Sequence, residues 1–449
     1  MKSLKSRLLA LGVAFAPLPA CAQQAQDYVR LPSTQENRLR DIDVFQKKVL
    51  AKDVAYSAAA RAEAETRLAK LRLNAAPVSQ PAFDLELARI AALADNGHTH
   101  YVLGSIQRYY NRVPIRLAVF GEDFFVARAV DEDLLGAKLV GIDSHAIGEL
   151  RTAGRSLWGG EAAFRDRFSF NLFESPDLLN AIGLAERADG ALYRFAKAGV
   201  AIEQRLIGEP PSDTRPFTNP YQVLFPQKLP LEDARWRTLL AADNAPWVLQ
   251  DWTTRFRWRK APELDALVIE FRQNNTANGA KIGPALSEFT KAITDAKAKN
   301  LIIDMRGNGG GDLTTTRVFF QSLPQRVAGR IFVLTSPLTF SAAISSIGYL
   351  EQAAPERVTI VGEPVGDRQM FFSEGDGVTL PANRGLVVGA TERHDYATGC
   401  KGHKDCHHNV VKHPISVTSI KPDLPVPWTI DAYMAGRDPA MEAVAAALR

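Results

Sequence analysis

Between positions 33 and 94 apolar residues recur at helical spacing within a background of Ala, Arg, Glu, Lys and Leu, with an interruption at 74–81, and this predicts a small helical region. It ends at Leu93-Ala94-Asp95-Asn96-Gly97-His98-Thr99-His100, where Asn-Gly breaks the helix and sets two histidines in a tight turn. From Val113 the pattern changes to short alternating runs at 115–120, 124–127 and 138–143, which predict strands of a β-rich module that continues with helical stretches to Gly208. The proline-rich segment 209–230 follows as a linker or cover loop. Beyond it, apolar strands at 266–271, 301–305, 330–335 and 358–361 alternate with helices at 285–297, 314–322 and 341–352. Strands and helices alternating at this length require crossover connections, so the expected class is α/β with parallel strands at its core. The expected organisation is 1–22 leader, 23–110 helical region, 111–208 β-rich module, 209–230 linker and 231–449 α/β core.

The chain has 449 residues, 46% hydrophobic and 23% charged, enough for two or three cores and outside the disordered and collagen-like classes. Its 54 basic and 50 acidic residues are spread without a basic block, so nucleic acid is not an expected partner. At the N-terminus a basic head precedes the apolar run 8–18 and then Pro19-Ala20-Cys21-Ala22-Gln23, the order of a secretory signal peptide with cleavage before Gln23. A lipoprotein signal cleaved before Cys21 is the weaker alternative. The apolar run is too short for a lasting membrane span. An exported, periplasmic protein is expected. Cleavage would leave Cys400 and Cys406 as an even pair in an oxidising compartment, which favours a local disulfide.

Two loops at carboxyl ends of the predicted strands carry the candidate chemistry. Arg306-Gly307-Asn308-Gly309-Gly310-Gly311-Asp312 frees the backbone for positive φ and for an N–H nest that can hold an anion. It lacks the Lys-Ser/Thr ending of a phosphate-binding loop. Thr335-Ser336-Pro337-Leu338-Thr339-Phe340-Ser341-Ala342-Ala343 places Ser341 where a helix begins, either as an ordinary N-cap or as a hydroxyl whose developing charge the helix dipole stabilises.

Together these loops resemble the tail-specific, or C-terminal-processing, serine peptidase family. The resemblance also draws on Val361-Gly362-Glu363-Pro364-Val365-Gly366, on Ile420-Lys421-Pro422-Asp423-Leu424-Pro425-Val426 with Asp431 to Pro439, and on Asp95-Asn96-Gly97-His98-Thr99. The region Val113 to Leu150, with Leu135 to Asp143 within it, is similar to the family's PDZ-like module. The resemblance implies a ClpP/crotonase-like core, protein or peptide substrates, no cofactor, Ser341 as nucleophile, and an oxyanion site from the N–H groups of Ala342 with Gly309 or Gly310. The best-known members pair the serine with a lysine about 25 residues on, but no lysine occurs from 342 to 399. The resemblance therefore points to the branch that uses a histidine base, His98, with His100 as substitute. The acid is assigned to Glu392, with Asp395 nearby, while Glu363 belongs to the Gly-Glu-Pro turn.

The loop Cys400-Lys401-Gly402-His403-Lys404-Asp405-Cys406-His407-His408 has residue types that zinc prefers but no common zinc spacing, and no metal is assigned. Three functional readings remain at this point: a serine endopeptidase acting on extended segments, a non-catalytic ligand- or peptide-binding protein on the same fold, and metal-dependent hydrolysis through the Cys/His loop.

Overall fold

The computed structural model describes residues 29–212, 217–230, 232–276 and 279–449, so the leader and Cys21 lie outside the described residues. Its architecture is mixed α/β with three sheets. The central one has six strands. Ala266–Phe271, Asn300–Asp304, Ile331–Thr335, Val358–Gly362 and Leu424–Pro425 run parallel, and Phe256–Ala261 is antiparallel at one edge. The expected strands are present to within a residue or so of their predicted ends, and parallel pairing accounts for their continuous apolar character, since both faces are covered. Leu267, Ile269, Ile303 and Val333 point to helices Ile282–Ala296, Leu313–Arg326 and Ala342–Ala353, through Phe289, Phe320 and Ile347. Val268, Ile302, Phe332 and Leu334 face the terminal helix Pro439–Leu448 through Ala440 and Val444.

A second, antiparallel sheet contains Ile115–Phe120, Asp123–Ala129, Lys138–Ile142, Gly190–Lys197 and Val200–Ile207 in that spatial order. Its inner face is continuous with the N-terminal helices Gln35–Val44, Ala58–Leu73 and Gln80–Ala92 in one apolar cluster that also takes in Phe340. The described part of the proline-rich segment is pinned by Arg128, which bonds Phe225 O and the buried Glu232 carboxylate.

The third sheet has no counterpart in the sequence expectations. A hairpin, Met370–Thr379 with Leu386–Asp395, pairs antiparallel with His100–Val102. Two bulges break its alternation at Ser373–Glu374 and Glu374–Gly377. Asp41 and Asp53 from the helical region accept backbone N–H groups of Ala382, Asn383 and Ala390, locking the hairpin to the N-terminal helices. No helix among the described residues is long and apolar enough to cross a membrane. Cys400 and Cys406 form a disulfide with Cα atoms 6.1 Å apart, which supports an extracytoplasmic location and removes both thiolates as metal ligands.

Candidate active site

The glycine-rich loop and the serine loop are laced together by two fully buried asparagines. Asn308 donates from Nδ2 to Phe271 O and to Asn274 Oδ1, both at 2.9 Å, and its own carbonyl accepts from Phe340 N at 3.0 Å. Asn274 Nδ2 in turn donates to Ala342 O at 2.9 Å and Ser346 Oγ at 2.7 Å. Ser336 Oγ and Thr339 Oγ1 close the remaining carbonyls of Arg306 and Met305. Arg306 itself forks onto Asp304 and onto Asp438, the N-cap of the last helix. A buried network of this kind, with its members mutually satisfied, holds a loop rigidly.

Ser341 stands between strand Ile331–Thr335 and helix Ala342–Ala353 with φ 56° and ψ −129°, a conformation L-residues rarely adopt. Its side chain makes no capping hydrogen bond, so the ordinary N-cap role is unfilled. Such strain costs about 1–3 kcal/mol and persists where surrounding structure imposes it. Gly310, at φ 98°, lies directly against it: a Cβ there would sit 2.6 Å from Ser341 Cβ and 2.9 Å from Ala342 N. The Gly310 N–H is spent on Asn308 Oδ1 at 2.9 Å, so its expected oxyanion role is corrected to one of close approach. Gly309 and Ala342 donate their N–H groups to no acceptor among the described residues, leaving these two as the available donors.

His98 is carried to this place by its turn. Asn96 bonds Phe372 through both ends of its amide, Nδ2 to O at 3.0 Å and N to Oδ1 at 3.1 Å, extending the hairpin sheet by one rung. Thr99 Oγ1 donates to Asp53 at 2.6 Å. At Gly97 a Cβ would fall 2.8 Å from the Phe340 ring, so the Asn-Gly pair is what lets the turn approach the serine loop. The imidazole is buried and sandwiched between Phe340, 4.4 Å away between centroids, and Phe371, 5.1 Å away. Its Nδ1 lies 3.1 Å from Asp367 Oδ2, although ring and carboxylate are not aligned for a hydrogen bond, and its Nε2 has no partner.

Asp367 is 4% exposed and was not singled out in the sequence. It follows Gly366, whose N–H bonds Thr339 O at 2.9 Å and whose missing side chain leaves room for Pro337 O. Arg368 N donates to its Oδ1 at 2.9 Å. Glu392, the acid expected from the sequence, hydrogen-bonds His407 Nδ1 instead, and Asp395 caps the turn at Ala397 and Thr398. His100 is buried against Trp158, bonds Gly97 O through Nδ1, and is pushed down to about 3 by burial, so it is a neutral packing residue and not a substitute base. Glu363 pairs with Arg167 at 2.8 Å.

Two clefts meet at Leu338 and Tyr221. One, of about 580 Å³ with its open mouth, is lined by Gly309, Gly310, Phe340, Arg255 and Gln273. The other, of about 620 Å³, is mainly apolar, with Phe120, Phe124, Phe170 and Trp428 in its wall.

No family model matches the chain, and no curated protein matches it. The structure of mature CPAF complexed with lactacystin aligns at a TM-score of 0.55 and 13% identity, over 92% of this chain and 98% of that one. A second structure of mature CPAF gives 0.54 at 12% identity, over 92% and 96%. A photosystem II D1 C-terminal processing protease aligns over 92% and 97% at 14% identity, with a TM-score of 0.38. At these identities the likeness to CPAF is one of fold.

Proposed function

We propose that the chain is an exported serine peptidase of the tail-specific type, cutting extended or unfolded protein segments, with Ser341 as nucleophile, His98 as base and Asp367 as the group that orients it. The observation that carries this reading is Ser341 itself: a strained residue at a helix start, with its hydroxyl unused by the cap, next to the residue that stacks on His98. A strand-to-helix turn that exposes a serine in this way is a recurring solution for nucleophilic catalysis.

A proton on His98 Nδ1, facing Asp367, leaves the Nε2 lone pair free for the Ser341 proton. As the Ser341 Oγ–carbon bond forms, the carbonyl oxygen gains charge that Gly309 N–H and Ala342 N–H are available to hold. Collapse breaks the carbon–nitrogen bond, and the leaving amine takes the proton from His98. Water then repeats the sequence against the acyl ester and restores Ser341. The cleft along Gly309 and Gly310 suits an extended backbone, and the apolar cleft beyond Leu338 suits a hydrophobic side chain of the substrate. In this reading the antiparallel sheet 115–207 is the PDZ-like module, offering a strand edge to substrate, and the leader directs the protein to the periplasm.

A fluorophosphonate probe tests the reading. Labelling of the wild type that vanishes in Ser341→Ala and falls sharply in His98→Ala is the expected result. Labelling that persists in Ser341→Ala sinks the nucleophile, and none at any pH in the wild type leaves the non-catalytic binding protein.

A further inference from the structure

Four of the eight histidines fall within 394–408, and none of them serves the chemistry above. The fold gathers two of them, His394 and His407, with Glu374 so that one ligand atom from each lies within 4.8 Å of the others. A second triplet, Glu392, His407 and His408, shares His407. Both central imidazoles are buried, stacked at 5.3 Å and 11°. His394 Nε2 sits 3.1 Å from Glu374 Oε1, close to the ~3.4 Å edge that nitrogen and oxygen ligands make around a tetrahedral ion bound at about 2.0–2.1 Å.

We propose that Glu374, His394 and His407 form a binding site for one divalent transition-metal ion of the zinc class, independent of the peptidase reading. The cluster is built with supporting contacts of the kind metal sites need. His394 Nδ1 faces Tyr396 OH at 3.0 Å, and that hydroxyl continues to Ser345 Oγ, which fixes the ring with Nε2 toward Glu374. His407 follows Cys406 directly. The disulfide to Cys400 and the pairing of His407 N to Arg393 O at 2.9 Å hold it beside the strand that bears His394. The disulfide thus takes the thiols out of coordination and positions an imidazole in their place. Glu374 occupies the bulge of its strand at φ 63°, with its side chain 28% exposed, giving an ion a path in and an open coordination position.

Without an ion the ligands bond one another and their neighbours. Glu374 takes His394, while His407 is held by Glu392 at Nδ1 and by Asn409 at Nε2, so entry of the ion replaces one of the His407 bonds. Imidazole with carboxylate disfavours Ca²⁺ and Mg²⁺, which take all-oxygen shells. The site also touches the proposed catalytic pair at one remove. Phe371 is stacked on His394 at 4.9 Å and on His98 at 5.1 Å, so an ion at His394 clamps the ring column that seats His98.

The test is a titration of the chelator-treated protein with Co²⁺, read by its visible absorption, followed by displacement with Zn²⁺. One equivalent binding with tetrahedral-type bands is expected. His394→Ala and His407→Ala should each weaken it by at least ~100-fold, above the 10–100-fold lost when only supporting contacts go. Glu374→Gln, at a partly exposed position where folding is secure, should weaken it too, with thermal melts confirming each variant's fold. Ser341→Ala should bind as the wild type does, which separates this site from the nucleophile assignment. Absence of stoichiometric binding at micromolar protein, or binding that survives His394→Ala and His407→Ala, overturns the proposal.

Discussion

Replacing Asp367 by Asn keeps the shape of the side chain and removes its charge. The carboxylate lies 3.1 Å from His98 Nδ1 and is almost wholly buried, so the ion pair that forms when His98 takes the serine proton is poorly screened. With an effective dielectric near 20, unit charges at this separation attract by about 5 kcal/mol, an upper value for what the amide gives up. Imperfect alignment of ring and carboxylate reduces the gain, and a loss of ~10³-fold in kcat follows from about 4 kcal/mol of transition-state stabilisation. KM should change little, because Asp367 acts on His98 and not on substrate. The assay is steady-state cleavage of an unfolded protein substrate, with the rate of fluorophosphonate labelling as a second measure. Glu392→Gln, made in parallel, should leave both nearly unchanged, since Glu392 holds His407. The reasoning is refuted if Asp367→Asn retains most of its activity, or if Glu392→Gln is the more damaging of the two.

Ser341→Gly should abolish labelling yet raise the unfolding free energy by about 1 kcal/mol, because glycine accepts φ 56° without strain; chemical denaturation of both proteins reads this. Gly310→Ala puts a methyl 2.6 Å from Ser341 Cβ at φ 98° and should cost at least about 2 kcal/mol of stability together with the activity, measured on the same samples. Gly97→Ala presses on Phe340 at 2.8 Å and should lower kcat with folding retained, checked by kinetics and circular dichroism. Opening the disulfide with Cys400→Ser and Cys406→Ser together frees a loop with a sequence separation of 6 and should cost about 2 kcal/mol in the chain-entropy account, visible as a lower melting temperature.

The parallel strands were legible because both their faces are buried, which makes each a short unbroken apolar run between helices. The hairpin 370–395 was not. Met370–Thr379 reads as Phe, Ser, Glu, Gly and Asp with half its residues toward solvent, and two bulges interrupt the period of 2 that would have marked it. Its existence depends on partners more than 250 residues away: Asn96 at Phe372, Asp53 at Ala390 and strand His100–Val102 at Leu386 to Val388. Spacing within a short window carries no trace of contacts made at that separation.

Asp367 shows where a usable signal did exist. The resemblance implies a lysine about 25 residues beyond the serine, and in this chain Gly366 stands near that place. Gly366 packs under Pro337, and the next side chain, Asp367, 26 positions after Ser341, lies 3.1 Å from His98. Asp367 puts a carboxylate near where the resemblance leads one to expect an ammonium. In the proposed mechanism a cation there would be the base itself, whereas an anion can only hold and stabilise one, so a carboxylate at this position fits the imidazole that the Asn96-Gly97 turn brings to it. His98 and Asp367 belong to segments that meet only in the folded chain. The corollary is that Asp367→Lys alone should not rescue His98→Ala: the ammonium would lie against Phe340 and Phe371, shaped for a flat ring, and the double variant should show no more labelling than His98→Ala by itself.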